Sequence, residues 1–342
     1  MIKLLIYGRG TEYKKIKRLI DWKNVVLEAF VDSYVLGNEI EYTDEGVKII
    51  HPSKIADLEY DYILCASIYE DDMRATLKQM DIPDNKILSG KLDWETLLDN
   101  SFLFDLSRVI IYQNGEIEKV SNQIKERNRF YDIRRGMSWV DENLSIIGDD
   151  AWAVSYDYLS ALCRVLQIMT PQNVLEMGLG QSSKIIMSYT KHHGCNLKII
   201  EQDREWYNTF IKENGYQDDK VQVFIKPINK VYNEKYDVSV TCYADISDVI
   251  ANEKYDVISI DGPWGSEGIS RVDILSFIPN CLNKSWCILL DDYQREGEKN
   301  MIIELENILQ RNMIGYHKKV YGKSKPFCLL ASEGNKFLCS LF

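Results

Sequence analysis

The chain has 342 residues and a formal net charge of −11, from 52 acidic and 41 basic residues. This length is sufficient for two domains, each able to bury its own hydrophobic core. The acidic balance argues against nucleic acid as a partner, because proteins that bind nucleic acid draw most of their affinity from cationic surface.

The beginning of the chain and the cysteines bear on the cellular compartment. Met1 to Tyr7 is a brief apolar stretch flanked by Lys3 and Arg9, too short for a secretory signal, and no stretch predicts a membrane span. The eight cysteines are scattered, without a C-x-x-C pair, and mostly lie within apolar runs. We therefore predict reduced core cysteines and a cytoplasmic protein.

Residues 1–97 alternate between strand and helix patterns, which predicts a parallel sheet wound in the Rossmann manner. The turn Gly8-Arg9-Gly10 has Tyr13 where a dinucleotide fingerprint has its third glycine. Asp32 ends the second predicted strand, at the distance of a ribose-binding acid. The region resembles the small Rossmann-like domains of sugar-modifying enzymes. Two interpretations stay open: a nucleotide-binding domain, and a domain for scaffolding, docking or oligomerisation.

Residues 98–150 form a predicted connector. Ile117, Val120 and Ile124 recur at helical spacing among charged residues, which predicts a long amphipathic helix over residues 117–135. Residues 137–148 have the composition of a loop, and we interpret them as a candidate lid. Trp152 stands just before the next predicted helix, residues 155–169. The predicted domains are thus residues 1–97, the connector 98–150, and residues 151–342.

The stretch from Asn173 to Ser183 carries the clearest chemical signal. Its apolar residues predict a short buried strand, Gly178 and Gly180 predict a tight turn, and a helix follows from Ser182. Glu176 stands two residues before the first glycine, where its charge would repel a pyrophosphate. The pattern therefore favours a cationic or zwitterionic ligand.

The sequence Glu-Met-Gly-Leu-Gly-Gln-Ser at residues 176–182 resembles the first motif of class I S-adenosylmethionine-dependent methyltransferases. The resemblance implies S-adenosylmethionine as cofactor, with Glu176, Gly178, Gly180 and Ser182 at its methionine part. Glu201, at the end of the next predicted strand, matches the second motif, whose carboxylate holds the ribose hydroxyls. Asp245, after the third strand and a predicted hairpin, is the candidate for the adenine amino group, or else a helix cap.

Two further strand ends carry carboxylates. The strand 255–260 leads into Asp261-Gly-Pro-Trp264, which presents an acid at the crevice of the sheet, and Asp261 is also a candidate cofactor-binding residue. The strand 286–290 leads into Asp291-Asp292, whose charges repel unless a cation, a proton or an arginine neutralises them. Two interpretations stay open for this group. Asp261, Asp291 and Asp292 could hold one divalent ion such as Mg²⁺, as in catechol-type O-methyltransferases. Alternatively, Asp261 or Asp292 acts as general base, with Arg295 orienting the substrate.

The Ile-Asp-Gly-Pro and Asp-Asp-x-x-Arg-x-x-Glu motifs resemble those of bacterial enzymes that methylate sugars of surface polysaccharides. The resemblance implies O-methylation of a hydroxyl on a sugar or another small molecule, and a small-molecule or glycan substrate as partner. A metal-dependent catechol-like or N-methyltransferase stays open as an alternative. A second alternative is a non-catalytic protein for nucleotide-sugar binding or assembly. The sequence also leaves open whether the chain forms a homo-oligomer.

The expected fold class is α/β, with two doubly wound domains joined by a helical connector. The strands predicted at residues 316–321 and 327–331 form the terminal antiparallel hairpin of a class I methyltransferase sheet. The lysines that flank this hairpin predict a solvated sheet edge; they are Lys318, Lys319, Lys323 and Lys325.

Overall fold

The computed structural model describes residues 1–36, 40–43, 45–141, 144–146, 153–215, 218–250 and 253–342. These residues separate into two compact units, Met1–Glu118 and Lys119–Phe342. The expected α/β fold class is confirmed, because each unit is built on a sheet made mainly of parallel strands. Part of the predicted lid, including Gly148, and also Trp152 lie outside the described residues. The predicted boundaries at residues 97 and 150 stay predictions.

The first unit contains a six-stranded sheet of order β3-β4-β2-β1-β5-β6, in which only β3 pairs in the antiparallel sense. The strands are β1 Ile2–Tyr7, β2 Val25–Val31, β3 Ile40–Tyr42, β4 Lys48–Ile50, β5 Tyr62–Cys65 and β6 Ile87–Ser89. The helices are α1 Thr11–Ile16, α2 Glu70–Gln79 and α3 Trp94–Asp99. Leu4 and Ile6 belong to one apolar cluster, while Leu5 and Tyr7 belong to another. Alternate residues of β1 are therefore buried on opposite faces, as a sheet covered on both sides requires.

One long helix, α4 Leu106–Arg135, runs for 30 residues from the first unit into the second. It begins well before the predicted start at residue 117. Asp105 explains the early start, because its carboxylate accepts a hydrogen bond from the backbone N–H of Ser107 at 3.1 Å and so caps the first turn.

The second unit contains a seven-stranded sheet of order β14-β15-β13-β12-β7-β8-β9 and a separate hairpin of β10 and β11. The strands are β7 Asn173–Met177, β8 Asn196–Glu201, β9 Val221–Ile225, β10 Ile228–Asn233, β11 Val238–Tyr243, β12 Tyr255–Ile260, β13 Leu282–Leu290, β14 Tyr316–Tyr321 and β15 Phe327–Ser332. The helices are α5 Tyr156–Met169, α6 Gln181–His193, α7 Arg204–Asn214, α8 Ser247–Ile250 and α9 Glu296–Arg311. The last two strands run antiparallel, as expected for the terminal hairpin.

The centre of this sheet is a topological switch point. From β7 the chain first extends the sheet on one side through β8 and β9, and then returns to the other side with β12 and β13. In such open α/β sheets a crevice forms at the carboxyl ends of the central strands, where ligands bind. Backbone hydrogen bonds hold the loops of this crevice together: Gly178 N–H donates to Ile200 O at 2.8 Å, and Asp261 N–H donates to Met177 O at 2.8 Å.

Both faces of the central strands are buried. Val174, Val257 and Leu289 pack in one apolar cluster, and their chain neighbours Leu175 and Ile258 pack in the other. The sheet is therefore rigid where it presents its strand ends. Among the described residues, no helix combines the length and the apolar character that a membrane crossing requires.

Candidate functional site

The loop between β7 and α6 lies against the loop that follows β12. Gly178 has a φ of +99°, and a Cβ there would lie 3.0 Å from the backbone nitrogen of Gly262. Only glycine combines this left-handed backbone with so close an approach. Around Gly180, by contrast, an added Cβ would meet no described atom within 4 Å. The first glycine thus packs the two loops together, and the second leaves open space at the start of α6.

Glu176 lies beneath this loop and is buried. Its Oε1 accepts a hydrogen bond from the Ser182 hydroxyl at 2.6 Å, while its Oε2 has no hydrogen-bond partner among the described residues. Burial, assisted by the charges of Asp261 and Glu201, raises the pKa of the Glu176 carboxyl to about 8. A buried carboxyl with one free oxygen is suited to bind a cationic group. Ser182 orients this carboxyl.

Glu201 ends β8 beside the same loop. Its Oε2 accepts a hydrogen bond from Leu179 N–H at 2.8 Å, and its Oε1 accepts from Gln202 N–H and Asp203 N–H at 2.7 and 2.8 Å. A carboxylate offers about four lone-pair positions, so the three amides leave one for a ligand. Trp206 closes this side, because its indole N–H donates to Leu179 O at 2.7 Å while 40% of the side chain is exposed.

Asp245 is exposed and has a φ of +28°. Its carboxylate accepts hydrogen bonds from the Ser247 backbone N–H at 3.0 Å and from the Ser247 hydroxyl at 2.6 Å. It therefore caps the start of α8, which is the alternative that the sequence left open. A role at the adenine of a cofactor stays a prediction.

Asp261, Asp291 and Asp292 form an acidic cluster at the carboxyl ends of β12 and β13, with one oxygen of each within 4.8 Å of the others. Asp291 and Asp292 are buried, whereas the Asp261 side chain is 24% exposed. Burial and the neighbouring Asp291 raise the pKa of the Asp261 carboxyl to about 7. The fold therefore brings these three predicted residues together, and Asp261 is the most exposed of the three.

Arg271, which the sequence interpretation did not single out, neutralises one side of the acidic cluster. It is buried, and its Nη2 lies 3.1 Å from Asp261 Oδ1 and 2.9 Å from Asp292 Oδ2. Its Nη1 donates to the backbone oxygen of Asp291 at 3.3 Å. One guanidinium thus contacts all three aspartates.

Lys325 neutralises the other side of the acidic cluster. Its Nζ lies 2.7 Å from Asp291 Oδ2 and 3.2 Å from Asp292 Oδ1. The predicted solvated edge is therefore wrong for Lys325, whose side chain is only 18% exposed. The burial of Asp292 is outweighed by its contacts with Arg271 and Lys325, so the pKa of its carboxyl lies below the ordinary value.

Arg295 also contacts the acidic cluster, with its Nη1 2.9 Å from Asp292 Oδ2 and its side chain 47% exposed. Glu298 lies behind it, fully buried, and burial raises the pKa of the Glu298 carboxyl. Trp264, three residues after Asp261, is 58% exposed. The acidic cluster thus contacts one half-exposed arginine, and an exposed tryptophan follows Asp261 in the chain.

The acidic cluster does not fit the predicted Mg²⁺ site. Mg²⁺ demands oxygen ligands in near-octahedral geometry at about 2.0–2.1 Å. Here each of the three aspartates already forms an ion pair with Lys325 or Arg271. A divalent ion would have to displace a buried ammonium or lie beside it.

The first unit offers a second nucleotide-type loop, after β1. Asp32, the candidate ribose-binding acid, is paired with the guanidinium of Arg9, whose Nε and Nη2 donate to Asp32 Oδ2 at 3.0 and 2.9 Å. A Cβ on Gly8 would lie 2.9 Å from the Ala66 carbonyl oxygen, so packing alone explains this glycine. Both interpretations of the first unit stay open.

A cavity of about 440 Å³ lies at the opposite, amino ends of β7 and β8, lined among others by Asn173, Asn196 and Lys198. We place the candidate site at the carboxyl ends instead. There the glycine loop, the unpartnered Glu176 oxygen and the acidic cluster converge, and open α/β sheets bind ligands at that edge.

The chain was compared with family models, curated proteins and solved structures. A family model described as "C2185-like, N-terminal" matches residues 1–88. No curated protein matches the chain. Among solved structures, an O-methyltransferase from Bacillus cereus in complex with SAH is 15% identical with a TM-score of 0.38, covering 60% of this chain and 91% of that one. Human methyltransferase-like protein 13 in complex with SAH is 16% identical with a TM-score of 0.36, covering 52% and 82%.

Proposed function

We propose that the second unit is an S-adenosylmethionine-dependent methyltransferase that methylates a hydroxyl of a sugar or another small molecule. The observation that carries this proposal is the convergence of Glu176, Gly178, Glu201 and Asp261 at the switch point of the seven-stranded sheet. Each stands at the carboxyl end of a strand, in the order and positions of the methyltransferase motifs.

The residues present fit the cofactor. The free Oε2 of Glu176 is available to the amino group of the cofactor, and the open space at Gly180 can accommodate the methionine part. Glu201 keeps one lone-pair position for a ribose hydroxyl of the cofactor. Ser182 supports the cofactor by holding Glu176. When bound, S-adenosylmethionine supplies an electrophilic methyl group on a sulfonium.

Asp261 is the better of the two candidate bases. A sugar hydroxyl is a poor nucleophile at neutral pH and gains from a carboxylate that accepts its proton. Asp292 has both carboxylate oxygens engaged by Arg271, Arg295, Lys325 and Gln294, whereas Asp261 is partly exposed. Arg295 keeps an exposed guanidinium with which it orients the acceptor.

The surroundings of Asp261 support a neutral, hydroxylated acceptor. The acidic cluster and its three paired cations leave little net charge next to the base, which suits a neutral substrate. The exposed indole of Trp264 offers an apolar face of the kind that packs against the C–H face of a sugar ring. These features favour a sugar hydroxyl over a free carboxylate or phosphate.

Calorimetric titration of S-adenosylmethionine, and separately of NAD, into the full chain tests the proposal. We expect micromolar binding of S-adenosylmethionine that weakens at least tenfold in Glu201→Ala. Glu205→Ala, an exposed position on α7, serves as the matched control and should bind like the natural sequence. Binding of NAD without S-adenosylmethionine would instead favour the alternative of a nucleotide-sugar-binding or assembly protein.

Transfer of a labelled methyl group to a panel of acceptors then tests the substrate class. The panel contains free sugars, nucleotide sugars, a catechol and an amine. Labelling of the sugars is expected. Labelling of the catechol or the amine alone would contradict the assignment to sugar hydroxyls.

A further inference from the structure

We infer that the Lys325 ammonium is the resident cation of the acidic cluster and takes the place in which a related enzyme would hold a divalent ion. The chain then binds no metal at Asp261, Asp291 and Asp292. The part of the inference that concerns methyl transfer without a metal rests on the proposed function. Cation binding by the acidic cluster can be tested independently of that function.

The ammonium has a ligand set like that of a metal ion. Its Nζ donates a hydrogen bond to the backbone oxygen of Ala153 at 3.0 Å and forms ion pairs with Asp291 Oδ2 at 2.7 Å and Asp292 Oδ1 at 3.2 Å. A lysine ammonium has three donors and no acceptor, so oxygen atoms are the partners that it requires here. Two carboxylates and a carbonyl are also the ligands that a hard divalent cation prefers.

The turn that carries Lys325 is fixed from two sides. Glu126 of α4 is buried, and its Oε1 accepts hydrogen bonds from the backbone N–H groups of Lys323 and Ser324, each at 3.1 Å. On the other side, Tyr293 N–H donates to Pro326 O at 2.8 Å and ties the turn to the chain just after Asp292. The ammonium therefore reaches the acidic cluster from a backbone that is held in place.

The charges of the acidic cluster are already largely balanced. Its three carboxylates face three cations: the buried Arg271, the largely buried Lys325 and the half-exposed Arg295. A divalent ion would bring two further positive charges next to an ammonium that already uses the same oxygens. Removal of Lys325 would leave Asp291 without its described ion-pair partner and open these oxygens to a metal ion.

Titration of Mn²⁺ and Mg²⁺ into the full chain, followed by calorimetry and by Mn²⁺ electron paramagnetic resonance, tests the inference. We expect the natural sequence to bind neither ion more tightly than millimolar, and Lys325→Ala to bind Mn²⁺ at least tenfold more tightly. Lys323→Ala, an exposed lysine on the same turn, is the control and should bind like the natural sequence.

Lys325→Met, which keeps most of the apolar stem and loses the charge, replaces Lys325→Ala if that variant fails to fold. Micromolar Mn²⁺ binding by the natural sequence would overturn the inference, whatever the variants do. Failure of both folded variants to gain affinity would also overturn it, since the oxygens would then form no cation site. Neither result depends on a methyl acceptor, so failure of the proposed function is recognised separately, by the absence of S-adenosylmethionine binding.

Discussion

The hydroxyl of Tyr243 packs so closely against Gly262 that a Cβ at residue 262 would overlap it. The same hydroxyl donates a hydrogen bond to Ile200 O at 3.2 Å, so it joins the ends of β8 and β12. This contact explains why a glycine, and not a residue with a side chain, follows Asp261. A side chain at residue 262 and the Tyr243 hydroxyl cannot occupy the same space.

Gly262→Ala is expected to destabilise the protein by about 1–3 kcal/mol, the usual cost of overpacking a filled site. It should also weaken binding at the crevice, because Asp261 shifts with the backbone. Thermal unfolding followed by circular dichroism measures the change in stability. Gly334→Ala is the control, since an added Cβ there meets no described atom within 4 Å.

The double variant Gly262→Ala, Tyr243→Phe tests whether the Tyr243 hydroxyl causes the loss of stability in Gly262→Ala. Removal of the hydroxyl relieves the overlap, so the double variant should be more stable than Gly262→Ala alone. Equal or lower stability of the double variant would show that the Tyr243 hydroxyl is not the limiting contact.

Glu176→Gln tests the raised pKa of the buried Glu176 carboxyl through the pH dependence of stability. In the folded chain burial raises the pKa of Glu176 to about 8, above its ordinary value of 4.5. The folded state therefore holds more protons than the unfolded state between these values, and the natural sequence loses stability as the pH rises through this window. Glutamine does not ionise, so the melting temperature of Glu176→Gln minus that of the natural sequence should increase from pH 5 to pH 8.5.

Calorimetric melting at several pH values without ligand provides this comparison. Glu205→Gln, on the exposed surface of α7, is the matched control and should follow the natural sequence at every pH. A Glu176→Gln difference that stays constant with pH would show that this carboxyl is ionised across the whole window.

Arg271 should be more important to stability than Arg295. Arg271 is buried between Asp261 and Asp292, and removal of one partner of a buried ion pair costs about 3–5 kcal/mol. Arg295 is 47% exposed, so its loss should cost at most about 1 kcal/mol. Urea unfolding of Arg271→Ala and Arg295→Ala gives both values, and similar losses would contradict the assigned difference in burial.

Arg271→Lys separates charge from shape. A lysine keeps the positive charge, but it cannot present the planar fork of donors that reaches Asp261 and Asp292 together. We expect its stability to fall between those of the natural sequence and Arg271→Ala. A fully stable Arg271→Lys would show that charge alone is required.

Trp264 and Trp206 should affect different ligands. Loss of a stacked aromatic ring removes about 0.5–1.5 kcal/mol, so Trp264→Ala should raise KM for the sugar acceptor roughly two- to thirteenfold. Its Kd for S-adenosylmethionine should stay unchanged. Trp206→Ala, which removes the hydrogen bond to Leu179 O, should instead raise that Kd. Steady-state kinetics with calorimetry distinguish the two, and a reversed pattern would contradict the placement of the acceptor.

The local sequence pattern predicts the site residues that stand at strand ends. Glu176, Glu201, Asp261 and Asp291 each follow an apolar run, and the carboxyl ends of neighbouring parallel strands meet at one edge. The sequence alone therefore predicts that these residues share one crevice.

The counter-charges could not be predicted in this way. Arg271 comes from the connection after β12, and Lys325 from the turn between β14 and β15, where a lysine looks like any solvated edge residue. Only tertiary packing brings them to Asp291. The start of α4 was missed for a different reason: Gly115 interrupts the helical pattern at a cost of about 1 kcal/mol, and the Asp105 cap is a signal of a single residue.

Lys325 is attached covalently to the chain that needs it. A metal cofactor has to be acquired, competes with other ions, and leaves when its supply falls. A lysine side chain is part of every chain that is synthesised, and a chelator cannot remove it. The charge balance around Asp291 is then set by the gene and not by the metal content of the cell.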